Sequence, residues 1–247
     1  MFSKGRERDF IFIHLPRTGG GSIKNHLIHS LQEERSKLDY PKISKKWSSQ
    51  RDKFYDVGAQ YHVYHGTLKD YEDTMGKERY EKAYKFTSIR NPWERMVSIY
   101  HFFKFGTPEE AYRKILSEAQ VRVFNNSLSI PISQGGKYKN DKENRYSTFD
   151  EFIENIDLYR RENPWPFHQY DYYFKKEEVD YIIRFENLQE DFLKVCNDLN
   201  LEDIKLLGIH STEHNHYSTY YNSKSKDIIY KIFKKDIVDF NYEFEKV

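Results

Sequence analysis

One cysteine, Cys196, stands among 247 residues, so no disulfide can form within the chain. Its setting, "FLKVCNDL", has helical apolar spacing and marks it as a small core residue. No apolar run is long enough to span a bilayer. The amino terminus, "MFSKGRERDF", lacks the apolar stretch of a signal peptide. Both absences lead to the expectation of a cytoplasmic chain. Charge of either sign is also missing in excess: 40 basic residues face 39 acidic ones, a net charge of +1. Such a balance excludes a general nucleic-acid binder, yet it permits a local anion site built from one or two arginines. There is no internal repeat, no heptad run and no long Pro/Gly/Ser linker. One domain over residues 1–247 is therefore expected. What is plentiful is aromatic: 21 Tyr and 18 Phe, enough to fill a core despite a modest aliphatic count.

The apolar runs alternate in type along the chain. Residues 9–15, "DFIFIHL", read as a buried strand before a glycine cluster. The helix that follows, "SIKNHLIHSLQEE", carries Ile23, Leu27, Ile28 and Leu31 on one face. Residues 60–65, 83–89 and 179–185 read as three further strands. Helices are expected from Pro92 through "WERMVSIYHFF", over 148–158 with Ser147 or Thr148 as cap, over "LQEDFLKVCNDL", and over 224–239. Strands alternating with helices predict an α/β fold with a mostly parallel central sheet flanked by helices. Residues 104–147 show little periodicity and read as an insertion or lid loop.

Two segments carry anion chemistry. In "HLPRTGGGSIKNHL", Gly19, Gly20, Gly21 and Ser22 lie between a strand and an amphipathic helix. Glycines let the backbone approach a ligand, and N–H groups at a helix start point at an anion. Arg17 adds a fixed charge, and Thr18 and Ser22 add hydroxyls. The same string also suits a plain turn. It is no Walker A sequence, because no Lys precedes Ser22 and no magnesium ligand is evident. "PRTGGGS" resembles the 5′-phosphosulfate loop of sulfotransferases that use 3′-phosphoadenosine 5′-phosphosulfate (PAPS). It differs from the usual carbohydrate-type pattern by Arg17 in place of Lys and Gly21 in place of Thr.

In the second segment, "FTSIRNPWERMVSIYHFF", Arg90 ends a strand and Ser98 lies on the following helix. Such a pair can grip a terminal phosphate by charge-assisted hydrogen bonds. Arg90 and Arg95 can equally pair with local carboxylates such as Glu94. The string Arg-Asn-Pro-x-x-Arg-x-x-Ser-x-Tyr is similar to the 3′-phosphate motif of the same family. "IIRFENLQEDF", "FHQYDYY" and "YSTYYNSKSKDIIYKIFKKDIVDFNY" resemble its later segments, and only 104–147 is unmatched. The resemblance is closest to the carbohydrate, Sulfotransfer-2-like branch. The Arg-Lys-Gly stretch of the steroid and phenol enzymes is absent.

The resemblance implies a P-loop-like three-layer sandwich and sulfuryl transfer from PAPS, leaving PAP as product. It carries over Arg17, Thr18, Gly19, Gly20, Gly21 and Ser22 as donor-loop residues, with Arg17 at the leaving phosphate. Arg90 and Ser98 follow as ligands of the 3′-phosphate. No metal is required, because the donor is an activated mixed anhydride. An acceptor hydroxyl must lose its proton, and ten histidines compete for that role. His14, His26, His29 and His101 read as packing residues. His210, His214 and His216 lie in a polar loop without the further ligands a zinc site needs. His65, ahead of Gly66 at the expected end of a strand, is the base candidate, and the family's His-Gly agrees. His168 is the runner-up. The implied acceptor is a glycan or a small polar metabolite; neither nucleic acid nor a membrane span is expected. A kinase-like phosphotransferase and a PAP-binding module without catalysis stand as alternatives.

Overall fold

The computed structural model describes residues 9–24, 26–27, 55–56, 61–62, 65–105, 148–162, 164–201, 205–206 and 214–247. Ile28 and Leu31, residues 106–147 of the expected insertion, and Ser147 as a cap lie outside the described residues. In chain order the elements are β1 (Phe10–Ile13), helix α1 from residue 20, β2 (Tyr55–Asp56), β3 (Tyr61–His62), α2 (Leu68–Met75) and α3 (Lys77–Lys82). There follow β4 (Tyr84–Ile89), α4 (Pro92–Phe105), α5 (Phe149–Glu154) and α6 (Ile156–Glu162). Then come β5 (Tyr181–Arg184), α7 (Leu188–Asp198), α8 (Ser223–Ile232) and α9 (Lys234–Asp239). Two compact units result, residues 1–89 with 170–206 and residues 90–169 with 207–247.

The first unit holds an all-parallel sheet in the order β1-β4-β5. Its register sets Phe10 beside Tyr84 and Ile13 beside Thr87, then Phe86 beside Tyr181 and Ile89 beside Arg184. Side chains alternate across a strand, so β1 offers two faces. Phe10 and Phe12 pack with Phe86, Ile183, Ile23 and Leu27 of α1, and Phe192, Val195 and Cys196 of α7. Cys196 is thus the buried core thiol its spacing predicts. Ile11 and Ile13, facing the other way, are just as fully buried. There the hydroxyl of Tyr71 on α2 donates to the Phe12 carbonyl at 3.0 Å. Arg79 grips Asp9 with Nε and Nη2, at 2.9 and 2.8 Å, and so ties α3 to the start of β1.

One expected strand is corrected. Of residues 60–65, only Tyr61–His62 is strand among the described residues, and it pairs antiparallel with Tyr55–Asp56. It belongs to a two-stranded ribbon, not to the parallel sheet. Helices α2 and α3 were not expected. The signal for α2 is present in the sequence, because Thr67 and Asp70 form a capping box at its start.

The second unit has an aromatic core. Trp93, Met96, Val97 and Tyr100 of α4 meet Phe149 and Phe152 of α5, then Phe167, Tyr217, Ile229 and Phe233. The helix expected over 148–158 breaks at Asn155, and Thr148 caps its first part with Glu151. The last expected helix breaks at Phe233, which is fully buried.

Phe192 fills the space between α7 and the sheet with no exposure. Phe192→Ala should cost roughly 3–5 kcal/mol of stability. A denaturation curve should show a lower midpoint at unchanged slope.

Candidate active site

In the first unit, the chain leaves β1 at Ile13, turns through residues 14–19 and enters α1 at Gly20. The turn is sharp because two residues adopt the left-handed region, Arg17 with φ 64° and Gly19 with φ 82°. For Gly19 this is cheap; for an arginine it is uncommon. The N–H groups of Ser22 and Ile23 donate to the Gly19 carbonyl at 3.0 and 3.4 Å, which closes the first helical turn. Those of Gly20 and Gly21 precede that turn and so have no acceptor within the helix. They carry the partial positive charge of its start. Thr18 is almost wholly buried. Its hydroxyl donates to the Leu15 carbonyl at 2.9 Å and shares a 2.9 Å hydrogen bond with Ser88 on β4. That hydroxyl staples the loop to the sheet, and Ser88, not singled out from the sequence, is its partner.

Gly20 faces the ring of His14, and a Cβ there would overlap that ring. The His14 ring in turn stands 4.6 Å from the ring of His65, centroid to centroid. His65 Nδ1 donates to the main-chain carbonyl of His14 at 2.7 Å. A carbonyl only accepts, so Nδ1 carries the proton and, in the neutral ring, the lone pair lies on Nε2. His65 adopts φ 53°, in a turn before Gly66 and the Thr67 cap. It sits in this turn and not at the end of a parallel strand as expected. His14, read from the sequence as strand-end packing, is the contact that joins the glycine loop to His65.

In the second unit, Arg90 follows directly on β4 and Ser98 lies two turns into α4; both are buried. Arg90 Nη2 pairs with Glu94 Oε1 at 2.8 Å, the local pairing left open by the sequence. Arg95 is 2% exposed. Its guanidinium donates to the Pro166 carbonyl at 3.1 Å and the His168 carbonyl at 3.2 Å, above the Phe233 ring. Tyr100 is buried against Phe149 and Phe152. Asn91 accepts from the Trp93 N–H and donates to the Glu243 carbonyl. Asn91, Arg95 and Tyr100 of the motif therefore have bonding roles inside the unit. His168 is held below the ordinary histidine value by burial first, then by the charges of Arg95 and Arg160.

His26, His101, His214 and His216 have local partners. His26 packs edge-on against Phe192. His101 bonds the Tyr220 hydroxyl and stacks on His214, and His216 bonds Ser218. His29 and His210 lie outside the described residues. Among the described residues no group of three or more His, Cys, Asp or Glu is placed to hold a metal ion.

The profile of one family, the sulfotransferase family, matches residues 2–243. The chain belongs to that family. No curated protein matched the sulfotransferase, and no solved structure did. Members of the family generally use PAPS as sulfate donor and act on hydroxyl acceptors. The sheet of this sulfotransferase, all parallel and flanked by helices, is the α/β fold read from its sequence. Among its described residues no helix is long and apolar enough to cross a membrane.

Gly20→Ala in the sulfotransferase should push the His14 ring aside and unseat His65 with it. The expected cost is roughly 1–3 kcal/mol of stability, as for overpacking elsewhere. Thermal unfolding of the variant should begin at lower temperature, and sulfotransfer should fall by more than that loss of folded protein explains.

Proposed function

We propose that this sulfotransferase moves the sulfuryl group of PAPS to a hydroxyl of a carbohydrate or small polar metabolite, with His65 as general base. The observation that carries the proposal is the hydrogen bond from His65 Nδ1 to the His14 carbonyl, beside the Gly20 end of the loop. It orients the ring and, in the neutral form, fixes the lone pair on Nε2. The Arg17 guanidinium and the N–H groups at the start of α1 fit the 5′-phosphosulfate by charge and direction. Thr18, through its bonds to Leu15 and Ser88, fixes the shape of that loop, with Gly19, Gly20, Gly21 and Ser22 supplying its backbone. Arg90 and Ser98 take the 3′-phosphate, with Arg90 shared between that phosphate and Glu94.

In the transfer, the acceptor oxygen attacks sulfur while His65 Nε2 takes the hydroxyl proton. The bond between sulfur and the bridging oxygen breaks, and its electron pair remains on the phosphate of PAP. Arg17 stabilises that charge without giving up a proton, as a lysine there can do. His65 becomes an imidazolium whose Nδ1–H stays on the His14 carbonyl.

PAP should bind without magnesium and at least about tenfold more tightly than AMP, because AMP lacks the phosphate assigned to Arg90 and Ser98. Calorimetry giving equal affinities would refute the donor assignment. Arg90→Ala should cost about 2 kcal/mol of PAP binding, the scale of a hydrogen bond to a charged group.

His65→Ala should lower turnover by about two to four orders of magnitude and leave PAP affinity unchanged. His168→Ala is the control. Burial and the nearby guanidinium charges keep His168 neutral to lower pH than an ordinary histidine. If His168 were the base, the acid limb of the pH–rate profile would therefore lie below about pH 6.5, the ordinary histidine pKa. That limb, together with a larger loss in His168→Ala than in His65→Ala, would transfer the role to His168.

A further inference from the structure

The second unit contains a cavity of about 490 Å³ that neither the donor loop nor Arg90 and Ser98 line. Its walls are Asp157, Arg160, Arg161, Pro164, Phe167 and His168. The volume falls within the range of about 300–1,000 Å³ usual for small-molecule sites. Charge in it is one-sided. Arg160 uses Nη1 on the Asp157 carboxylate at 3.2 Å, and Arg161 uses Nε on the Asp157 main-chain carbonyl at 3.1 Å. Among the described residues, Nη2 of Arg160 and both terminal nitrogens of Arg161 have no such bond. Among the described lining residues, one carboxylate thus faces two guanidinium groups. The buried Arg95 adds a third positive charge, fixed by its bonds to the carbonyls of Pro166 and His168. Those bonds also hold the wall formed by Phe167 and His168 in place. The downward shift of His168 agrees with the geometry, because Arg95 and Arg160 contribute to it.

We propose that this cavity is an anion subsite, and that it takes a small organic ligand bearing a carboxylate or a sulfate ester. Arg161 presents two parallel donors, the fork that matches a planar carboxylate or two oxygens of a sulfate. Arg160, the preceding residue of α6, adds a third donor. Pro164 and Phe167 supply apolar walls for the carbon frame. The subsite stands independently of the donor assignment, since none of its residues is given a role in holding PAPS.

The test is titration calorimetry at constant ionic strength with three probes: D-glucuronate, D-galactose 6-sulfate and neutral D-galactose. The two anions distinguish carboxylate from sulfate ester. At least one anion should bind, and the neutral sugar should bind at least about tenfold more weakly. Arg161→Gln and Arg160→Gln should each weaken the anion by about tenfold or more, with Arg161→Lys retaining part of the affinity. Both arginines are at the surface, so the variants should unfold at the wild-type temperature. Failure of both anions to bind would overturn the subsite. So would equal affinity for galactose, or binding that survives both Gln variants, which would locate the anion elsewhere. PAP titrated into the same variants should bind as it does to wild type. Loss of the anions with intact PAP binding, or the reverse, tells failure of the subsite from failure of the donor assignment.

Discussion

The parallel pairing of β1 with β4 is the constraint on which the first unit depends. It sets Ile13 beside Thr87, one residue short of the loop on one strand and of Ser88 on the other. Thr18 can therefore bond Ser88, and the loop is fixed to the sheet instead of hanging from a single strand. The pairing is itself enforced by burial on both sides. A slip of one residue would exchange Phe10 and Phe12 with Ile11 and Ile13, although both sets are already closely packed. With the strand end fixed, the His14 carbonyl is fixed too, and with it the ring of His65.

Of the four non-glycine residues with positive φ among the described ones, Asn200 and Asn241 are asparagines, which tolerate it, and the other two are at this place. Arg17 and His65 both hold left-handed backbone conformations that a side chain disfavours, each at a cost of order 1–3 kcal/mol. Neither position is glycine, although glycine would relieve the strain. The side chain is thus retained at each position against the backbone's preference. The second unit follows a different logic. There the motif beginning at Arg90 is mostly committed to building: Arg95 holds two carbonyls, Asn91 bonds in both directions, and Tyr100 fills the core.

Much of the fold was legible because its signals are local. The apolar runs of β1, β4 and β5 and the spacing around Cys196 translate directly into a buried sheet and the helix on it. The residues at 60–65 misled because an apolar alternation says nothing of its partner strand, and that partner is Tyr55–Asp56. Helix α2 went unread although Thr67 and Asp70 spell its cap, since only Leu68, Tyr71 and Met75 bury an apolar face. At the site, residue types were readable and partnerships were not. His14 lies 51 residues from His65, and Thr18 lies 70 from Ser88. Such contacts follow from strand register, which no local pattern reports. For Arg90, the sequence allowed a carboxylate partner, and Glu94 is that partner.

The order of the pieces along the chain has a consequence for synthesis. The first unit is interrupted: after β4 the chain runs through residues 90–169 of the other unit before it returns with β5 and α7. During translation, β1 and β4 emerge early, yet β4 lacks its second neighbour until Arg184 has left the ribosome. Phe10, Phe12 and Phe86 meanwhile lack Phe192, Val195 and Cys196 to cover them. A nascent chain of this length presents an open strand edge and bare aromatic surface for as long as the intervening residues take to make. Such a chain favours early engagement by chaperones; truncation before Arg184 leaves β4 without its second neighbour, and truncation within α7 leaves the Phe10, Phe12 and Phe86 face of the sheet partly uncovered.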